Sequence, residues 1–272
     1  MADPPLSVPP LKPKNWRLVM FRNFRIFCIS AAIAAASICS IRQAEAASGT
    51  VVLVHGAFAD GSSWSKVMPR LEAQGFHVVA VQLPLTSLAE DVAATKRAID
   101  NAEGPITLVG HSWGGTVITE AGTSDKVKAL VYIAAFANDA GTNYQDLVKG
   151  YPDAPGGAAI VVDKAGFARL SDNGVAKDFA PDLPAAEQKI VAATQGPIRA
   201  TEFGEKTTVA AWSTKPSWFV VAANDRMIAP ALEEAMAKKI KAHTTVLKSS
   251  HVAMLAHPAE VAKVIESAAN VK

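Results

Sequence analysis

The chain has 272 residues, half of them apolar, with 27 lysines and arginines against 25 acidic residues and a formal net charge of +2. That length suits one sizeable α/β domain and is too short for two. With no basic block beyond the N-terminus, nothing points to a nucleic-acid partner.

Lys12, Lys14, Arg17, Arg22 and Arg25 precede the apolar run Ile26–Cys39, and Ala44-Glu45-Ala46 supplies a small-x-small cleavage pattern. Residues 1–46 therefore read as a secretory signal peptide. The run is alanine-rich and short for a spanning helix, which favours cleavage over retention as a membrane anchor. Cleavage leaves 21 basic against 23 acidic residues and removes Cys28 and Cys39, the only cysteines. Residues 47–272 would then lie in the periplasm or outside the cell without a disulfide, stabilised by their core alone and not membrane-bound.

Strand-like and helix-like segments alternate after the leader. Thr50–Val54, His77–Val81, Ile106–Val109, Val127–Ile133, Trp218–Ala222 and Thr244–Lys248 are short apolar or β-branched runs. Helical spacing appears over Leu88–Ile99, with Ser87 and Glu90 in a capping-box pattern, and again over Gly115–Ala121, Leu232–Ile240 and Ala259–Ala269. Pro258 suits the first turn of the last helix. Continuous apolar strands separated by helices predict a mostly parallel six-stranded sheet covered on both faces. Residues 137–210, rich in Ala, Gly, Asp and Pro with scattered aromatics and short helical patterns, read as a cap inserted after the fourth strand.

The most specific signal is Gly110-His111-Ser112-Trp113-Gly114, set between a predicted strand and a predicted helix. A serine at such a sharp turn has an exposed hydroxyl above a helix N-terminus, the setting of a nucleophile. It needs a base within hydrogen-bond reach. Of the six histidines, His55 and His111 flank turns, His77 begins a strand, His243 precedes one, and His257 adjoins Pro258; these five read as structural or solvated. His251 follows the last strand, in a loop that can reach back to Ser112. Asp225 follows the fifth strand and is the acid expected to orient it. Asp139 is the alternative and Asp60 a weaker one. The order Ser112, Asp225, His251 suits this architecture. Backbone N–H groups of Ala57 and Trp113 are the expected oxyanion donors, each worth roughly 3–4 kcal/mol when well aimed. Phe58 is a candidate pocket wall, and Trp64 reads as packing. No zinc-type spacing and no phosphate-binding glycine loop is present, so neither metal nor organic cofactor is expected.

These pieces resemble the α/β-hydrolase superfamily. The resemblance rests on Val51–Ala57, Gly110–Gly114, Ala129–Phe136, Asp225 and Ser250–Leu255. It is narrower with the compact group of plant methyl-ester esterases, hydroxynitrile lyases and their bacterial relatives, which also begin almost at the first of these strands. The resemblance implies a Ser112–Asp225–His251 triad with Ala57 and Trp113 as oxyanion donors. Lyase members carry a lysine after the catalytic histidine and a threonine where this chain has Gly56. Here the first of those positions is Val252, and both departures favour ester hydrolysis. Val81–Leu85 lacks the Asp-leucine turn of many relatives, which leaves the shape of that rim open. The expected partner is a small-molecule ester. The competing expectations are cleavage of another carbonyl bond by the same triad, and a non-catalytic binding protein.

Overall fold

The computed structural model describes residues 49–271; the expected leader, with both cysteines, lies outside them. Six strands form one sheet: β1 Thr50–Val54, β2 His77–Val81, β3 Ile106–His111, β4 Val127–Ile133, then, after a long excursion, β8 Ser217–Ala222 and β9 His243–Leu247. Their spatial order is β2-β1-β3-β4-β8-β9 and every neighbouring pair is parallel. The central strands β1, β3 and β8 are buried along their whole length, whereas the edge strands β2 and β9 are half exposed. That contrast follows from helices covering both faces but neither edge.

Register brings the strand ends level. Val54 pairs with Val81 and Gly110, His111 with Ile133, Ile133 with Val220, and Ala222 with Leu247. Residues just beyond these positions share one edge of the sheet. β2 lies to one side of β1 and β3 to the other, so the crevice at the carboxyl ends of β1 and β3 is the topological switch point.

Several boundaries differ from expectation. β3 extends to His111, and the following helix spans Trp113–Ala121, starting two residues before Gly115 because Ser112 itself takes the N-cap position. The helix Leu88–Asn101 is capped by Ser87, whose hydroxyl accepts from the Glu90 N–H at 3.2 Å. The reciprocal half of that capping box is absent, since the Glu90 carboxylate instead takes the Thr86 hydroxyl. β9 begins at His243, where the imidazole lies against Trp218 with ring centroids 4.8 Å apart.

The excursion between β4 and β8 contains a small antiparallel sheet that its sequence does not announce. β5 Ile160–Val162, β6 Phe167–Leu170 and β7 Ile198–Arg199 run in that order, with the helix Ala185–Ala193 between β6 and β7. Strands of two to four residues are too short to show a period of two. Gly166, at φ 84°, closes the turn from β5 to β6.

Candidate active site

Ser112 sits at the end of β3 with φ 52° and ψ −120°, a conformation that side chains rarely adopt. Three backbone hydrogen bonds hold it there. Its N–H donates to Ile133 at 3.2 Å, and its carbonyl accepts from Gly115 at 2.9 Å and Phe136 at 3.2 Å. The turn works only because the helix start lies against β1: a Cβ at Gly114 would stand 2.5 Å from the Val54 carbonyl oxygen. A Cβ at Gly56 would stand 2.7 Å from the Ser112 Cβ, so the loop after β1 passes directly beside the serine.

That loop is aimed by His55. Its Nδ1–H donates to the Gly56 carbonyl at 2.8 Å while Nε2 accepts from Leu83 N–H at 3.0 Å. A trans peptide is planar, so a carbonyl turned toward His55 turns the N–H of Ala57 the other way. Burial lowers the His55 pKa and favours the neutral ring that this pattern requires. Among the described residues, neither the Ala57 nor the Trp113 N–H donates to a protein acceptor, although both residues are buried.

Asp225 and His251 meet across the neighbouring strand ends. His251 Nδ1 lies 2.5 Å from Asp225 Oδ2, and both side chains are essentially inaccessible. The other carboxylate oxygen accepts from the N–H groups of Met227 at 2.6 Å and Ile228 at 3.0 Å, which fixes its plane. The His251 carbonyl accepts from His111 Nε2–H at 3.0 Å, and the two rings lie 4.7 Å apart. Burial, and after it the proximity of His251, holds the His111 imidazole well below its usual pKa, hence neutral. His111 thus links the serine turn to the His251 loop. Asp139 pairs with Lys239 Nζ at 2.8 Å, and Asp60 caps a short turn by accepting from Ser62 N–H at 2.7 Å, so both alternative acids are otherwise engaged.

Phe58, at φ 60°, forms one wall of a cavity of about 240 Å³ whose apolar lining includes Phe179, Ile190, Val191, Val252 and Leu255. Phe179 comes from the cap and lies 5.2 Å from the His251 ring. Trp64 is fully buried against His111, as packing. Among the described residues no cluster of three or more His, Cys, Asp or Glu is arranged to hold a metal ion.

Four acids around the site escaped the sequence reading. Asp182, in the cap, accepts from the Ser250 N–H at 2.7 Å and hydroxyl at 2.5 Å, steadying the loop before His251. Glu233 is wholly buried behind Asp225 and accepts from the Ala222 N–H at 2.9 Å. Burial, and then the Asp225 charge, raise its pKa well above the carboxylate range. Asp91 and Glu202 are the other two, also fully buried. Acids on helices and turns usually face solvent, and no local pattern marks Asp91, Glu202 or Glu233 as buried.

Residues 51–264 match the model of a family described as the alpha/beta hydrolase family. A pyrethroid hydrolase of Sphingobium wenxiniae is 26% identical over 244 residues, covering 79% of this chain and 85% of that protein. Salicylic acid-binding protein 2 of Nicotiana tabacum is 33% identical over 123 residues, 37% of this chain and 44% of that protein. The chain spans about half the length of several of the curated relatives it matches. Among solved structures, a pyrethroid hydrolase from Sphingobium faniae has a TM-score of 0.70 at 22% identity, over 82% of this chain and 98% of that one.

Proposed function

Because the chain belongs to the alpha/beta hydrolase family, we propose that it is a serine hydrolase that opens small, largely apolar carboxylic esters through an acyl-enzyme. The observation that carries this reading is the buried 2.5 Å contact of His251 with Asp225, at the same sheet edge as the strained Ser112 turn. Ser112 Oγ attacks the ester carbonyl as His251 Nε2 takes its proton. Asp225 keeps the Nδ1 proton in place and stabilises the imidazolium. The N–H groups of Ala57 and Trp113 receive the oxyanion. His251 returns the proton to the departing alcohol, and water then attacks the acyl group by the reverse sequence.

The cavity beside Val252 gives a compact hydrocarbon group a mainly apolar wall, with Lys66, Glu187 and several hydroxyl side chains also in its lining. Val252 stands where the resembling lyases carry lysine, which argues for hydrolysis over cyanide release. Residues 1–46 act, on this proposal, as a cleaved leader that sends the enzyme to the periplasm or the medium. No metal or organic cofactor enters the scheme.

Ser112→Ala tests the reading. Hydrolysis of 4-nitrophenyl acetate should fall by roughly three orders of magnitude or more, with an unchanged melting curve. A variant that still turned over at the wild-type rate would refute the nucleophile assignment.

A further inference from the structure

The buried acids Asp91 and Glu202 lie outside the reaction scheme yet touch one of its donors. Asp91, on the helix Leu88–Asn101, has both oxygens engaged. Oδ1 accepts from Leu85 N–H at 2.8 Å and Oδ2 from the Trp113 indole N–H at 3.0 Å. Glu202 comes from the cap, on the turn Ala200–Gly204. It is fully buried, and neither of its carboxyl oxygens makes a hydrogen bond of ordinary geometry among the described residues, although the Trp113 indole N–H lies beside it. What it faces is Asp91. Two carboxyl groups buried together need a proton between them. Neither pairs with a lysine or arginine among the described residues.

The same cap turn is stitched to the same stretch of core on both flanks. Arg199 N–H donates to the Leu85 carbonyl at 2.9 Å, and the Glu205 carboxylate accepts from Leu88 N–H at 2.9 Å. Phe203, next to Glu202, sets its ring edge-on to Trp113 at 5.5 Å. Trp113 is therefore held both by Asp91 and by the cap, while its backbone N–H is a proposed oxyanion donor.

We propose that Glu202 and Asp91 form a proton-bearing clasp between cap and core, in which Glu202 O–H donates to Asp91 and the clasped pair acts as a positioning element for the Trp113 N–H. The kinetic consequence rests on the serine-hydrolase reading; the clasp itself does not. Burial, and after it the Asp91 carboxyl, push Glu202 up to about 9, so it keeps its proton through neutral pH. The titratable groups facing the pair are Glu205 on the same turn and His55 at the end of β1. Deprotonation sets two negative charges together in the core, and the cap turn must part from Asp91.

Because the folded-state pKa lies above the ordinary value, the stability contributed by the protonated acid is complete below about pH 4.5 and is lost as pH rises toward about 9. Activity should follow the folded-state value, holding through neutral pH and falling near the upper end.

The test compares wild type, E202A and E202Q between pH 5 and 10.5, using 4-nitrophenyl acetate with the uncatalysed rate subtracted, and thermal unfolding in the same buffers. Wild-type kcat should fall about tenfold, reversibly, between roughly pH 8 and 10 with little change in KM. E202A should be slow at every pH. E202Q, whose amide donates to Asp91 regardless of pH, should rescue kcat and lack the alkaline fall. The melting temperature of wild type relative to E202Q should drop steadily up to about pH 9 and then level. An alkaline fall of the same midpoint and size in E202Q, or a melting-temperature difference independent of pH, overturns the clasp. If wild type hydrolyses no ester, the serine-hydrolase reading fails while the unfolding series still decides the clasp.

Discussion

The sheet edge and the cap meet over the same cavity but are held in place by different forces. At the sheet edge, position follows from register: parallel ladders align the ends of β1, β3, β8 and β9, backbone hydrogen bonds fix Ser112 and Asp225, and the buried His55 side chain holds the loop at Ala57. The cap is pinned by separate polar tethers. Lys66 pairs with Glu187 at 2.5 Å, Arg226 with Asp178 at 2.7 Å, Lys239 with Asp139 at 2.8 Å, and Asp182 holds Ser250. Ladder positions tolerate no local adjustment, whereas tethers can be lost one at a time. Chemistry assigned to the edge should therefore fail outright when one residue changes, and cap functions should fail by degrees.

The comparison is tested hardest at Asp225. In Asp225→Asn the amide oxygen can still accept from Met227 and Ile228, but an N–H then faces His251 Nδ1. The ring must take the other tautomer, with its proton on Nε2, and can no longer accept from Ser112. We expect kcat to drop roughly 10⁴-fold, measured by initial rates; a loss of less than tenfold would place the acid elsewhere.

Gly114→Ala probes the register instead. Its Cβ meets two backbone carbonyls, of Val54 at 2.5 Å and His55 at 2.6 Å, neither free to move. Urea unfolding should show a loss of about 3 kcal/mol. A cost under about 0.5 kcal/mol would mean the edge is more compliant than the ladder allows.

Asp182→Ala strikes a cap tether that reaches the chemistry. It leaves the Ser250 N–H and hydroxyl without their carboxylate, and kcat should fall about tenfold with a modest fall in melting temperature. The smallest effect belongs to Lys66→Ala. The Lys66–Glu187 pair is about one-third exposed and should contribute no more than about 1 kcal/mol. KM should rise two- to threefold with kcat held, and added salt should reproduce part of the change in wild type.

The same division explains what could be read from the chain. Thr50–Val54, His77–Val81 and Val127–Ile133 are observed with the bounds their apolar runs predict; in the two central strands burial on both faces imposes continuous hydrophobicity, and in the half-exposed edge strand the β-branched run carries the signal. The Asp225–His251 contact was legible too, since each residue directly follows a recognisable strand. The cap was not. β7 has two residues, and the helix Ala185–Ala193 buries none of its side chains fully, so neither period nor polarity marks them. Nothing in the sequence separates Asp91 from an ordinary first-turn helix acid or Glu202 from a surface residue; only the folded cap brings the two together beside Trp113. The half-formed capping box at Glu90 shows the converse, a local pattern whose side chain found a nearer partner in Thr86.

The most direct measurement is fluorophosphonate labelling of the full-length protein at neutral pH, read by intact mass and peptide mapping. Stoichiometric modification at Ser112, slowed by orders of magnitude in His251→Gln, is the predicted result. A protein left unmodified, or modified equally fast without the imidazole, would contradict an activated serine at this sheet edge.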